Sequence, residues 1–162
     1  SAYAGEDVGP GTFPLDAAAF GAPSLAAFAA ATAREGCVGE TVSAIVAAEQ
    51  LAAATDPAVR AVLTEIAADE ARHAELAWRA VAWALEVGGQ DVRAAVAEVL
   101  RSASRHAPEA GDVLAPAQAS ARPEVLEAHG RLARRAARAT VAHALDDVVR
   151  PCAARLVGTI LS

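Results

Sequence analysis

Glu70 and His73 are the residues of this chain whose types and spacing could most directly do chemistry. They lie three positions apart in a segment where apolar residues recur with helical spacing, so they share one helix face. A carboxylate and an imidazole on one face can bind the same metal ion. Glu-x-x-His on one helix, with a Glu on its neighbour, is half of a carboxylate-bridged di-metal site in a four-helix bundle. The other half is not evident in this sequence.

The preceding helical segment offers two candidates for the neighbouring carboxylate, Glu35 and Glu40. On a helical wheel, three apolar residues lie within about 20° of Glu35, whereas Glu40 lies about 140° away from it. Those three residues are Phe28, Val42 and Val46. Distance from the turn near Thr55 instead favours Glu40, which matches the level of Glu70. We predict Glu35 as the ligand, because a side chain on the wrong side of the helix needs a larger rearrangement than one displaced along the axis. Glu40 is kept as the alternative ligand or as a supporting residue.

Glu70 itself points into an apolar stripe on the second helical segment, and His73 lies about 60° to one side. The stripe consists of Val59, Leu63, Ile66, Ala77 and Val81. Burying an unpaired charge is costly, so a carboxylate in this position indicates a bound partner. Gly36 and Gly39 flank the other candidates and could permit a helix distortion or a π-bulge there.

Composition predicts an all-α fold. Hydrophobic residues make up 54% of the chain and aromatic residues only 4%. Alanine, the strongest helix former, is abundant, and β-branched residues are not concentrated in runs. The 162 residues are enough for one domain with its own core.

Charge and hydropathy exclude two classes of partner. The net charge is −6, which disfavours nucleic acid, and the basic run Arg131–Arg138 has the spacing of a solvated helix face. Charges interrupt the apolar stretches well short of the ~20 residues that a membrane span needs. We therefore predict neither nucleic-acid binding nor a membrane span in this chain.

Local signals predict a long antiparallel helical hairpin, about 24–54 and 57–87. Ser24 is suited to cap the first helix, and Asp56-Pro57 is suited to start the second, which stops at Gly88-Gly89. Two helices joined by so few residues must lie side by side in opposite directions. The predicted organisation is a loop or linker over 1–23, the hairpin over 24–89 and a C-terminal helical extension over 90–162.

Within that extension the pattern predicts a helix over about 91–105, a loop over 106–123 and a last helix from about Pro123 to Arg150. Pro151 is expected to end or kink this helix. Elsewhere, Cys37 and Cys152 are interpreted as small buried residues and Trp78 and Trp83 as packing anchors.

Two segments carry a resemblance to a known family: Arg34-Glu-Gly-Cys-Val-Gly-Glu-Thr41 and Asp69-Glu-Ala-Arg-His-Ala-Glu-Leu-Ala-Trp78. They resemble the ferritin-like di-iron superfamily. They are more closely similar to uncharacterised ferritin-like domain proteins of myxobacterial type, some of them described as lipoproteins. The resemblance covers about residues 24–88. It implies a ferritin-like helical bundle in which this chain is the C-terminal part of a longer protein.

The resemblance also implies a metal site. Glu70 and His73 match the second Glu-x-x-His of the family, and Glu35 matches the Glu of the preceding helix, with Glu40 next in line. Iron, or manganese with iron, is the implied cofactor, and an oxidase that uses O₂ or peroxide, or an iron-handling protein, is the implied function. Half of the family's ligands are missing here. Later residues that could help to replace them are Glu98, Glu127, His129, His143, Asp146 and Asp147.

Two further expectations follow from the missing half of the family's ligands. An isolated hairpin would leave a large apolar stripe in water, so we predict association with the missing N-terminal half or with a second copy of this chain. The alternative function is a non-catalytic helical interaction module that keeps the fold without a working metal site. Asp69 is a candidate partner for the second ring nitrogen of His73.

Overall fold

The computed structural model describes residues 24–105 and 122–161, and every regular element in these two ranges is helical, which confirms the all-α class. In chain order the elements are α1 (Leu25–Thr32), a first π segment (Ala33–Glu40), α2 (Thr41–Ala53), α3 (Pro57–Val87), α4 (Gln90–Arg105), α5 (Pro123–Ala128), α6 (Arg134–His143), a second π segment (Ala144–Val149) and α7 (Arg150–Leu161).

The first long rod of the molecule consists of α1, the first π segment and α2. Ser24 caps its start, because its side chain accepts a hydrogen bond of 3.1 Å from the N–H of Ala27. The backbone stays helical at both junctions with the π segment, so the rod is continuous from Leu25 to Ala53. We call it the first rod.

The connection to α3 is short and well satisfied. Asp56 caps α3 by accepting bonds of 2.9 and 3.0 Å from the N–H groups of Ala58 and Val59. Arg60 on the first turn of α3 donates to the carbonyls of Leu51 and Ala54, each at 2.7 Å. These bonds fasten the end of the first rod to the start of α3, which then returns along the rod.

The last rod, formed by α6, the second π segment and α7, differs from the single helix that the sequence predicts. The helix that begins at Pro123 stops at Ala128, and Gly130 adopts a left-handed φ of 75° before a new helix starts at Arg134. A Cβ on Gly130 would lie 2.8 Å from Leu63 and 3.2 Å from the carbonyl of Gln50, so close packing against the hairpin turn also requires glycine.

Pro151 does not end the last rod, which continues to Leu161. The second π segment precedes it directly, and the N–H of Arg150 bonds to the carbonyl of Leu145, five residues back. The wider turn gives the proline ring room where an α-helical turn would bring it against a carbonyl. Of the two predicted alternatives, an end or a kink at Pro151, the end is therefore wrong for a physical reason that lies in the preceding turn.

One hydrophobic core joins these elements. Its buried residues are mostly alanine and valine from α1, the first π segment, α3, α4 and the last rod. The largest fully buried side chains are Val81, Val92, Val96, Val149 and Cys37. The first rod is central, with α3 along one side and α4 and the last rod along others. Among the residues described, no helix has the length and apolar character to cross a bilayer.

Candidate metal centre

Three side chains from two neighbouring helices converge at one point, Glu40, Glu70 and His73. Each offers one ligand atom, and the three atoms all lie within 4.8 Å of one another. Glu40 and Glu70 are half-buried and His73 is exposed, so the group lies at the surface between the first rod and α3. We call these three residues the ligand group.

The second helix of the pair positions two members of the group by its regular geometry. Glu70 and His73 lie near the middle of the 31-residue helix α3, three positions apart on one face. The first rod and α3 can approach each other closely at Ala77, one turn after His73, because the facing residue 36 is glycine. A Cβ at Gly36 would lie 2.3 Å from the Cβ of Ala77, so any larger residue would push α3 away.

The first π segment determines which glutamate of the first rod joins the group. The wheel that favoured Glu35 assumes α-helical steps throughout, but residues Ala33–Glu40 form a π-helix. A π turn contains more residues than an α turn, so each residue rotates the chain by a smaller angle about the helix axis. Side chains at the two ends of the segment therefore differ in direction from those of an α-helix of the same length. The structure places Glu40 with Glu70 and His73, whereas Glu35 is exposed and lies outside the ligand group.

A buried hydrogen-bond chain fixes the end of this segment next to Glu40. The Thr41 hydroxyl donates to the carbonyl of Cys37 at 2.7 Å and accepts from the indole N–H of Trp78 at 3.1 Å. Thr41 is the buried polar residue of the described core. The bond ties the first rod to α3 beside the ligand group. Sequence reasoning treated Trp78 as a packing anchor and gave Thr41 no role, because the bond joins residues far apart in the chain.

The two carboxyl groups of the ligand group lie close enough to change the pKa of Glu40. The pKa of Glu40 is raised, first because its side chain shares a hydrogen bond with Glu70, then because of burial and the nearby charge of Glu70. The charge of His73 instead lowers the pKa of Glu40, by a smaller amount. A proton held between the carboxyl groups relieves their repulsion, and a divalent cation bound there would do the same and release the proton.

The donor set fits a first-row divalent metal ion. Two carboxylate oxygens and one imidazole nitrogen suit iron, manganese or zinc, and three protein ligands leave positions for an exogenous ligand. Glu40, Glu70 and His73 would each hold such an ion through one ligand atom. The described residues of the group supply the donors for one ion, so a second ion would need further carboxylates.

The other predicted ligands do not join this group. Asp69 forms an ion pair with Arg72 of its own helix turn. His143 contacts Asp147 at 2.6 Å, and Asp146 and Glu98 pair with arginines of their own helices. Glu127 and His129 are exposed near the end of α5.

The two cysteines differ from each other. Cys37 is buried in the first π segment, where burial raises the pKa of its thiol to about 12 and the nearby Cys152 adds to the shift. Cys152 is exposed, so the expectation that both are buried is wrong for Cys152. Likewise Trp83 is 53% exposed and does not anchor the core.

Comparison with known proteins adds no relative. No protein-family model, no curated protein and no solved structure matches this chain.

Proposed function

We propose that this chain is a carboxylate metal-binding protein of ferritin-like type, in which Glu40, Glu70 and His73 hold an iron or manganese ion. The observation that carries the proposal is the convergence of three ligand atoms within 4.8 Å from two helices. The sequence resemblance at Glu70 and His73 points to the same residues. When bound, such an ion supplies one-electron redox chemistry toward O₂ or peroxide.

The residues of the chain contribute position and proton control. The hydrogen bond with Glu70 raises the pKa of Glu40, so its carboxyl group keeps a proton to higher pH than an ordinary glutamate and would release it on metal binding. Metal affinity should therefore rise with pH. His73 lies on the exposed side of the group, so an exogenous ligand would approach from that side. These properties suit an oxidase or an iron-handling protein whose remaining ligands come from a second copy of this chain.

The test is metal binding by the purified chain. We expect near-stoichiometric iron or manganese by elemental analysis, and at least a roughly tenfold loss of affinity in a Glu70→Gln/His73→Gln double variant. Asp147→Asn/His143→Gln is the matched control, because it removes a carboxylate and an imidazole that contact each other at 2.6 Å outside the ligand group. Equal metal loss in both variants, or no metal in the unaltered chain, would refute the proposal.

The second candidate is a helical interaction module without a working metal site. It is favoured by a specific observation, the exposure of five large apolar side chains on α3. A Glu70→Ala/His73→Ala variant separates the two functions. An interaction module would keep its association and its stability in this variant, and it would bind no metal before or after the change.

A further inference from the structure

The outer face of α3 carries an apolar stripe with heptad spacing. Its positions follow one another in alternating steps of four and three residues: Val62, Ile66, Asp69, His73, Leu76, Ala80, Trp83 and Val87. Seven large hydrophobic side chains are exposed in the described residues, and five of them lie on this stripe, each 41–65% exposed. Alternation of four and three is the spacing of a left-handed coiled-coil seam. We call these eight residues the outer stripe.

The outer stripe is distinct from the face that α3 packs against its own chain. The buried residues of α3 are Ala74, Ala77, Val81, Ala84 and Leu85, none of which belongs to the stripe. The ligand group lies where the two faces meet, since Glu70 borders the inner face and His73 belongs to the stripe. A partner on the stripe would therefore cover the open side of the ligand group.

We propose that the outer stripe binds the outer stripe of a second copy of this chain, with the two α3 helices antiparallel about a two-fold axis near Ala71. The inference rests on the proposed function where it concerns the metal, because it brings two ligand groups to one axis. The association itself needs no metal.

Charge excludes a parallel arrangement. In a parallel pair each stripe residue meets its own copy, so Asp69 would face the partner's Asp69 and His73 the partner's His73. The flanking Glu65 would also approach the partner's Glu70. Three sets of like groups would then lie along one seam, and like charges in contact oppose association.

Charge also distinguishes between antiparallel registers. The residues that flank the stripe on its solvent edge are Glu65, Arg72, Arg79 and Glu86. With the axis near Ala71, Glu65 faces the partner's Arg79 on both sides of the axis, and Arg72 faces the partner's Arg72 at the axis, so two attractive contacts outweigh one repulsive contact. A shift of half a heptad places Glu65 opposite the partner's Glu86 and Arg72 opposite the partner's Arg79, which gives four repulsive contacts.

Overlap separates the remaining registers. An axis near Trp78 and one near Ala67 also bring opposite charges together, but they overlap only the parts of each helix from Asp69 to Val87 and from Pro57 to Trp78. An axis near Ala71 overlaps Pro57 through Leu85, which is nearly the whole of α3. The longer overlap buries more of the exposed apolar surface, so the register near Ala71 is favoured.

The same register pairs the two polar residues of the outer stripe, Asp69 and His73, with each other across the axis. Asp69 lies opposite the partner's His73, so a carboxylate meets an imidazole instead of apolar side chains. A carboxylate at the second ring nitrogen is the usual support of a metal-binding histidine. The edge that carries Glu70 faces the partner's same edge, within about a turn of the axis. Two incomplete ligand groups therefore come together on one side of the pair.

The first test is the mass of the full chain in solution, measured by light scattering in EDTA. We expect a dimer, and we expect Leu76→Glu to raise the dimer dissociation constant roughly 100-fold or more. Val125→Glu is the matched control, because Val125 is 42% exposed but lies on α5, outside the stripe. A monomeric unaltered chain, or equal effects of the two variants, would overturn the proposal.

The second test addresses the register and does not depend on a disruptive core change. Glu65→Arg or Arg79→Glu alone should weaken the dimer roughly tenfold, because each puts like charges together twice per dimer. The two changes together should restore the dimer. Failure of this rescue would overturn the register near Ala71, since none of the other registers pairs these two residues.

The two proposals fail in different ways. Mass in EDTA reports on the outer stripe alone, and metal content of the Val125→Glu and Leu76→Glu variants reports on the ligand group. A dimer that binds no metal refutes the proposed function and leaves the interface standing. A monomer that binds metal overturns the interface and leaves the proposed function standing.

Discussion

The two π segments of this protein make an informative comparison. Each interrupts a long rod that is otherwise α-helical, and each carries two acidic residues. In the first segment Glu40 meets Glu70 and His73 of another helix. In the second, Asp146 and Asp147 pair with Arg150 and His143 of the same rod.

The difference shows that a π segment by itself does not make a site. What distinguishes the first segment is the helix that packs against it: Gly36 lets α3 approach, and Thr41 is bonded to Trp78 on that helix. Within residues 24–105 and 122–161, no other helix brings carboxylate and imidazole ligands to the acidic side chains of the second segment. Their partners come from their own rod, one turn away, which is ordinary surface ion pairing.

The largest expected effect comes from a side chain at Gly36, which would prevent the close packing of α3 against the first π segment. Gly36→Ala should lower the free energy of unfolding by about 2 kcal/mol, because the new Cβ would lie 2.3 Å from that of Ala77. Gly39→Ala is the control, since its Cβ would meet only the Arg34 carbonyl at 3.7 Å. That variant should gain about 0.5–1 kcal/mol from helix propensity. Denaturant unfolding measures both, and equal effects would contradict the close approach.

The next effect concerns which acid of the first segment binds metal. Glu40→Gln should weaken iron or manganese binding at least roughly tenfold, and Glu35→Gln should leave it unchanged, because only Glu40 lies in the ligand group. Titration calorimetry of the two variants under anaerobic conditions decides the matter. Loss of binding in Glu35→Gln alone would support the α-helical wheel instead of the π geometry.

A smaller effect is expected from the bond that joins the first segment to α3. Thr41→Val should cost about 1–2 kcal/mol, because it leaves the indole N–H of Trp78 without its partner at 3.1 Å. Thr140→Val in the last rod is the matched control. Its hydroxyl is on an exposed turn and bonds only to its own helix, so the change should stay within about 0.5 kcal/mol. Thermal unfolding of both variants would show whether the two threonines differ.

The smallest effect is a pH dependence that belongs to the first segment alone. The pKa of Glu40 is raised in the folded chain, so its stabilising contribution is fully present below the ordinary glutamate pKa and is lost as pH rises through the raised value. In EDTA, Glu40→Gln should therefore become more stable relative to the unaltered chain as pH increases. A difference in melting temperature that stays constant from about pH 4 to pH 8 would contradict the raised pKa of Glu40.

Residue-level signals predicted the first half of the fold well and the second half less well. The second helix was predicted from Pro57 to about Val87, as observed. Ser24 caps the first helix as predicted, and Asp56, one of the two predicted alternatives with Thr55, caps the second. The break at Gly130 was missed, because it depends on packing of that glycine against Leu63 and Gln50. Of the candidate ligands, Glu70, His73 and the alternative Glu40 come together, and the preferred Glu35 does not.

The sequence by itself determined where the helices of the hairpin begin and end and which residue types could bind a metal. Those features depend on capping side chains, on proline and glycine, and on spacing within a few residues, all of which are local. Only the tertiary structure decided which glutamate faces α3. The π segment Ala33–Glu40 lies against Ala77 at Gly36, and Thr41 directly after it bonds to Trp78. Both partners lie some 40 residues along the chain, and a wheel drawn for one α-helix contains neither these contacts nor the π geometry.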